Sequence, residues 1–248
     1  MLGLCQGDLG TSYKTRDPVG EEVWARLPNT AVLALTSTVV AILLALPLGI
    51  IAAIKQNTLF DGISMFISLL GISMPVFWMG LLLILFFSVK LGWFPVSGAD
   101  QGIKSLVLPS IALGFMHMAS IARTTRSSML ETIRQDYIRT VRAKGLPEKE
   151  VIWKHALPNA MIPIITVIGG ALGHALGGGL VIETVFGIPG VGYYMTTAIN
   201  QRDYIVVQGC VVILGVVFSL MMLLTDLLLA AVDPRIKAQF AGKGGKHR

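Results

Sequence analysis

Residues 27–54 read LPNTAVLALTSTVVAILLALPLGIIAAI, 28 positions between Arg26 and Lys55 without a charge. A helix needs about 20 apolar residues to cross a hydrocarbon core about 30 Å thick, so this stretch is long enough. Segments such as Ile42-Leu-Leu-Ala-Leu46 do not alternate apolar with polar side chains, which excludes a strand of a membrane barrel. Charge-free runs recur between Asp61 and Lys90 (28 residues), Lys104 and Arg123 (18), Lys154 and Glu183 (28), and Asp203 and Asp226 (22). They predict an all-α, polytopic transmembrane helix bundle over residues 29–232, with spans near 30–54, 63–89, 105–122, 160–182 and 204–228. Pro47, Pro75, Pro109 and Pro163 sit in or beside these spans, where neighbouring helices can satisfy the backbone groups that proline frees. The whole chain of 248 residues is 54% hydrophobic and 14% charged, which excludes an ordinary soluble enzyme, whose charged share is about 25%.

The basic residues assign the sides. Lys55, eight residues of the loop 123–158 and five of the tail 233–248 make 14 of the 20 Lys and Arg, so by the positive-inside rule these segments, and the C-terminus, are expected in the cytoplasm of a multi-pass protein of the cell membrane. Residues 1–28 then form an external polar segment. No signal peptide precedes them, since Met1-Leu-Gly-Leu-Cys5 has neither a basic region nor an apolar core, and a further N-terminal span is expected to be missing. The net charge of +6 is accounted for by the cytoplasmic loops and calls for no nucleic acid. Cys5 and Cys210 have no second ligand in the sequence to support a metal or redox role.

The loop 123–158 is the one long polar connection, and a loop of that length in a compact domain usually has structure and a task. From Ser128 to Lys144 a capping box (Ser128 to Glu131) and a stripe of Ile133, Tyr137 and Val141 predict one helix, stopped by Gly145. Pro147 opens a second helix of about ten residues, with Glu148 and Glu150 in its first turn and Lys154 and His155 in its last, and Pro158 is expected to close it. A basic helix lying on anionic lipid headgroups is one reading. Two turn-defined ends favour the other, a docking element for a cytoplasmic partner.

The same residues resemble a known family. Permease subunits of ATP-binding-cassette importers carry a signature of the form E-A-A-x3-G-x9-I-x-L-P; here Gly145 is followed after nine residues by His155-Ala-Leu157-Pro158. Arg139-Thr-Val-Arg-Ala-Lys-Gly145 departs from the general pattern and is similar to the dipeptide, oligopeptide and nickel branch. Gly7-Asp-Leu-Gly10, Ser73-Met-Pro-Val-Phe-Trp78, Thr125-Arg-Ser-Ser-Met-Leu130, Asp136-Tyr-Ile-Arg139, Glu183-Thr-Val-Phe186 with Pro189-Gly190, Arg202-Asp-Tyr204 and Asp233-Pro-Arg-Ile236 extend the likeness, to the first permease of that branch, over nearly the whole chain. The resemblance implies the type I importer permease fold, normally with six spans. It also implies a second homologous permease, two cytoplasmic ATP-binding-cassette ATPases carrying ATP and magnesium, an external solute-binding protein, and membrane lipid around the assembly. No cofactor is expected on this chain itself. The coupling residues it implies are Arg139, Arg142, Ala143, Lys144, Gly145, Leu146, Pro147, Glu150, His155, Leu157 and Pro158.

Within the spans, His117, His174 and Asp226 are the ionisable candidates. His174 is the better pore candidate, and Asp226 reads as an end-of-helix side chain. Gly169, Gly173 and Gly177 recur every four residues, a small-residue face that lets another helix approach or lines the pore. No G-x4-G-K-[ST] occurs, and Gly242-Lys-Gly-Gly-Lys246 has the wrong spacing, so no catalytic or metal-binding residue is expected and ATP must be hydrolysed by other chains. The sequence thus reads as a transport subunit rather than an enzyme: a permease of an ATP-driven importer of di- or oligopeptides. Import of nickel or another small solute by the same architecture is the alternative, and a proton-coupled secondary transporter the rival from another class.

Overall fold

The computed structural model describes residues 8–232. The tail 233–248, with Asp233-Pro-Arg-Ile236, and residues 1–7, with Cys5, lie outside the described residues. In chain order the helices are α1 (Val19–Ile54), α2 (Leu59–Ser73), α3 (Val76–Leu83) running on as a π-helix (Ile84–Lys90), α4 (Ile103–Ile133), α5 (Asp136–Ala143), α6 (Glu148–Glu150), which passes through a π-helical stretch (Val151–Ala156) into α7 (Leu157–Gly178), α8 (Leu180–Phe186), α9 (Val191–Gln201) and α10 (Tyr204–Val232). Among the described residues the extended structure is a single isolated bridge, Thr11 to Pro18. Among the described residues four helices are long and apolar enough to cross a membrane, or five when the bent pair α2–α3 is taken as one span.

Three expectations need correction. The run 63–89 is not one straight helix: it bends by 103° at Met74–Pro75, because proline drives the residue before it out of the α region and α2 therefore stops at Ser73. The first span's helix starts earlier than residue 30, since α1 begins at Val19 within the polar segment, with Glu21 and Glu22 in its first turn. Its 36 residues make a rod of about 54 Å. Pro158 does not close the loop helix, which continues unbroken into α7. The π-helical stretch immediately before it carries wider hydrogen-bond rings and absorbs a residue that has no N–H to give.

The described residues form two compact units, one of residues 8–41, 71–117 and 171–220, the other of residues 42–70, 118–170 and 221–232. In the first, Val19, Val23, Val191, Ala198, Val206, Cys210 and Leu214 form a buried apolar cluster. The polar N-terminal segment is tied to this unit: the Ser12 hydroxyl donates to Asp203 Oδ2 at 2.6 Å, and the Asp203 side chain also accepts from the Lys14 and Val206 N–H groups. Helices α1 and α4 touch backbone to backbone here, for a Cβ on Gly114 would stand 2.6 Å from the Ser37 carbonyl oxygen.

In the second unit, Ile50 and Ala53 of α1, Met129 of α4, Ile138 of α5, Val151, Ile152 and Ala156 of the π-helical stretch, and Ala160 and Ile164 of α7 make one buried cluster. Gly49 repeats the α1–α4 close approach, with its would-be Cβ 2.7 Å from the Ala122 carbonyl oxygen. The turn between α1 and α2 is pinned by a fork: Arg126 Nε and Nη2 donate to Asp61 Oδ1 and Oδ2, each at 2.7 Å, and the Asn57 N–H donates to Asp61 Oδ2. The Arg126 guanidinium holds the Asp61 carboxyl below the usual carboxylate range.

These contacts make two expectations. Gly114→Val and Gly49→Val should each destabilise the detergent-solubilised protein by about 2 kcal/mol or more through overpacking, whereas Gly62→Val, whose Cβ would meet nothing within 4 Å, should leave the melting temperature within a degree or two. Arg126→Met should cost about 2 kcal/mol at neutral pH. Because the folded-state pKa of Asp61 is lowered, that difference should persist as long as the pH stays above the ordinary carboxylate value and vanish as it falls through the lowered one. Thermal melts at pH 7 and pH 3 measure both.

Candidate functional site

The loop between α4 and α7 is two short helices folded about Gly145. Gly145 has φ +80, its N–H donates to the Arg142 carbonyl, and a Cβ there would meet nothing within 4 Å. The glycine is needed for its backbone conformation, since an L side chain is disfavoured at positive φ even in open space. Pro147 follows as the N-cap of α6. Across the turn Arg142 grips Glu148 with both arms, Nη2 to Oε1 at 2.6 Å and Nε to Oε2 at 3.1 Å. The pair holds the Glu148 carboxyl below its ordinary range, so the clamp persists until the pH falls well into the acid range.

The predicted single helix 128–144 is two. Ser128 is no N-cap; it lies inside α4, where its carbonyl accepts from the Thr132 hydroxyl. The chain breaks at Arg134–Gln135 and a new helix starts at Asp136, which resets the phase of the apolar stripe. Ile138, not Tyr137, is therefore the side chain buried in the cluster, with Val141 packed against it, and Tyr137 is exposed. The Tyr137 hydroxyl and the Asn159 amide both donate to the His155 carbonyl.

Of the expected coupling residues, Arg139, Arg142, Ala143, Lys144, Gly145, Pro147 and Pro158 are exposed, and Leu146, Glu150, His155 and Leu157 are half-buried. The result is a polar knob with an apolar root. Trp153, which composition did not single out, is exposed beside Pro147 and Lys149 in a mostly apolar groove of about 360 Å³. A second, more polar cavity of about 560 Å³ opens between Gln56, Arg126, Glu131, Arg134 and Asp136.

The other candidates separate. Gly169 is where α10 comes in, with its would-be Cβ 2.0 Å from Thr225 Cγ2, whereas Gly177 faces open space and Gly173 is buried. The four-residue spacing does not act as one packing face. His117 and His174 are near enough to interact electrostatically, a proximity that the sequence did not reveal. Asp226 is exposed, in the other unit.

A sequence profile of binding-protein-dependent transport system inner membrane components matches residues 45–238. The chain belongs to that family. It is 45% identical to a dipeptide transport system permease protein of Alkalihalophilus pseudofirmus, a match covering 96% of this chain and 79% of the relative. It is 41% identical to an oligopeptide transport system permease protein of Bacillus subtilis, with 94% and 77% covered, and 44% identical to a glutathione transport system permease protein of Escherichia coli O6:H1, with 94% and 76% covered. Among solved structures, a chain of the MetNI methionine ABC transporter in an inward-facing conformation shares the fold at a TM-score of 0.74 and 20% identity, over 88% of this chain and 99% of that one. The protein is thus a multi-pass membrane permease with the importer permease fold, a transport subunit and not an enzyme.

One residue of the permease carries more structure than its motif announced. Glu183, fully buried, accepts from the Thr30 hydroxyl at 2.7 Å and from the Tyr193 N–H at 3.0 Å, while Thr30 accepts from the Val191 N–H. Its carboxylate occupies the start of α9, where helix N–H groups lack internal partners and the helix dipole favours negative charge. Gly190 and Gly192 leave the space: a Cβ on Gly190 would stand 2.4 Å from the carboxyl carbon, and one on Gly192 2.5 Å from Leu180 Cα. The available signal was that Glu183 is the one charged residue between Lys154 and Arg202, with glycines close behind it. Gly190→Ala should therefore abolish recovery of folded protein from membranes. Glu183→Gln should be recovered at reduced thermal stability and Glu183→Ala should be worse than Gln, in a detergent thermal-shift series.

Proposed function

We propose that this permease is one half of the translocation path of an ATP-driven importer of short peptides, and that the knob of α5, Gly145 and α6 docks on a cytoplasmic ATPase subunit. The observation that carries the reading is the joint between knob and bundle. The exposed tip, with Arg139, Lys144 and Lys149, is clamped by Arg142 and Glu148. Its root, Ile138, Val151 and Ile152, is buried with residues of α1, α4 and α7. A force on the tip is thereby passed to membrane helices rather than lost in a slack loop, as coupling between two global states requires. The basic tip and the positive-inside rule support a cytoplasmic position for this loop and for the C-terminus.

In this reading a second, related permease completes the path, two ATPases bind ATP and magnesium, an external binding protein delivers the solute, lipid surrounds the bundle, and this chain holds no cofactor. The names of the relatives, which transport dipeptides, oligopeptides and glutathione, support a peptide-like solute over nickel. Membership of a binding-protein-dependent family supports an ATP-driven importer over proton coupling.

In proteoliposomes holding both permeases and both ATPases, Arg142→Glu combined with Lys144→Glu should lower peptide uptake by at least about tenfold, the scale of losing one charged contact, with basal ATP hydrolysis retained. Gly145→Pro should do the same. Normal uptake by both variants overturns the docking role.

A further inference from the structure

The exposed surface of α7 differs from those of α1 and α10. Between Trp153 and Val181 the described residues expose no large apolar side chain, whereas α10 exposes Val211, Val212, Val216 and Leu220, and α1 exposes Val32, Leu35 and Val39. The latter two surfaces suit lipid tails or apolar partners. In the first unit α7 instead exposes His174 and Gly177, and the position of a Gly177 Cβ is open, with nothing within 4 Å. His174 is held edge-on to the ring of Phe218, at 6.1 Å between centroids. The neighbouring His117 is 7% exposed, and its Nε2 finds no hydrogen-bond partner within the described residues.

A buried imidazole nitrogen without a partner is costly in an apolar span, and such groups are found where a solute or water completes them. A neutral imidazole offers one donor and one acceptor, the same pair that a peptide group presents. Among the described residues no cluster of three or more His, Cys, Asp or Glu stands ready for a metal ion, so two imidazoles suit hydrogen-bonded cargo better than a chelated cation. Gly177, one turn along from His174, leaves open space at its own Cβ position.

We propose that His174, with His117 beside it, is a contact point on the translocation path that hydrogen-bonds the main chain of the transported peptide. The inference rests on the peptide-importer reading above and adds a specificity-determining position to it. Contact with the main chain would let one site serve peptides of different sequence.

The test uses the assembled importer in proteoliposomes, with alanyl-alanine as the probe. His174→Phe keeps a ring against Phe218 and should lower uptake about tenfold, the scale of one lost hydrogen bond to a desolvated group. The partner permease should still co-purify, ATP hydrolysis stimulated by the loaded binding protein should be unchanged, and His174→Asn should recover most of the uptake. Unchanged uptake with His174→Phe, or loss of the partner permease, overturns the proposal, the second outcome meaning that the pair packs against another helix. A second measurement needs no ATP and so stands apart from the coupling reading: His174→Cys and Gly177→Cys should react rapidly with a charged, membrane-impermeant thiosulfonate, and Val216→Cys on α10 should not. Equal rates at all three positions overturn the water-lined path.

Discussion

The burial of Ile138, Val151 and Ile152 among residues of α1, α4 and α7 is the interaction that holds the basic loop against the helix bundle. A loop rich in Arg and Lys has no electrostatic reason to stay against an apolar bundle, and its exposed ion pairs hold it only weakly. Apolar burial does, at about 2 kcal/mol for each large side chain removed from water. With Ile50, Ala53 and Met129 in the same cluster, the knob cannot move without moving the helix ends beneath it. The Gly145 turn and the Arg142–Glu148 clamp then fix the shape of the part that protrudes.

Elsewhere the permease is held by close approach and by satisfied polar groups, as expected where lipid removes the hydrophobic drive between helices. Gly49 and Gly114 bring α1 against α4, and Gly169 brings α7 against α10. Glu183, Asp203 and Asp61 are buried carboxylates, each with hydrogen bonds from more than one segment, and each fixes a turn or helix start that apolar packing alone would leave free to slide. His117 departs from this pattern, because its Nε2 has no partner among the described residues. An unsatisfied buried group is where a functional contact is best sought.

Much of this was legible beforehand because the signals are local. Charge-free runs, the stop at Gly145 and the start at Pro147 depend on a few consecutive residues, and among the described residues four of the five runs lie in long apolar helices, Gly145 makes a turn and a helix starts after Pro147. The errors were also local rules, overridden by context. Ser128 has the residues of a capping box but lies within a helix already propagating from Ile103. Pro158 would end an isolated helix, yet the π-helical stretch before it keeps the rod continuous. The stripe of Ile133, Tyr137 and Val141 assumed one unbroken helix, and the break at Arg134–Gln135 shifted burial to Ile138.

The sequence by itself determined the all-helical, membrane-spanning architecture and the existence of a structured basic loop, because helix length and charge placement answer to the bilayer and not to neighbouring helices. The tertiary structure decided which glycines pack and which face open space, that Arg142 reaches Glu148, that Arg126 grips Asp61, and that His117 comes within electrostatic range of His174. Those pairings join residues whose distance along the chain says nothing about their distance in space. They form only when packed helices bring them together, and a single sequence carries no periodicity from which to read them.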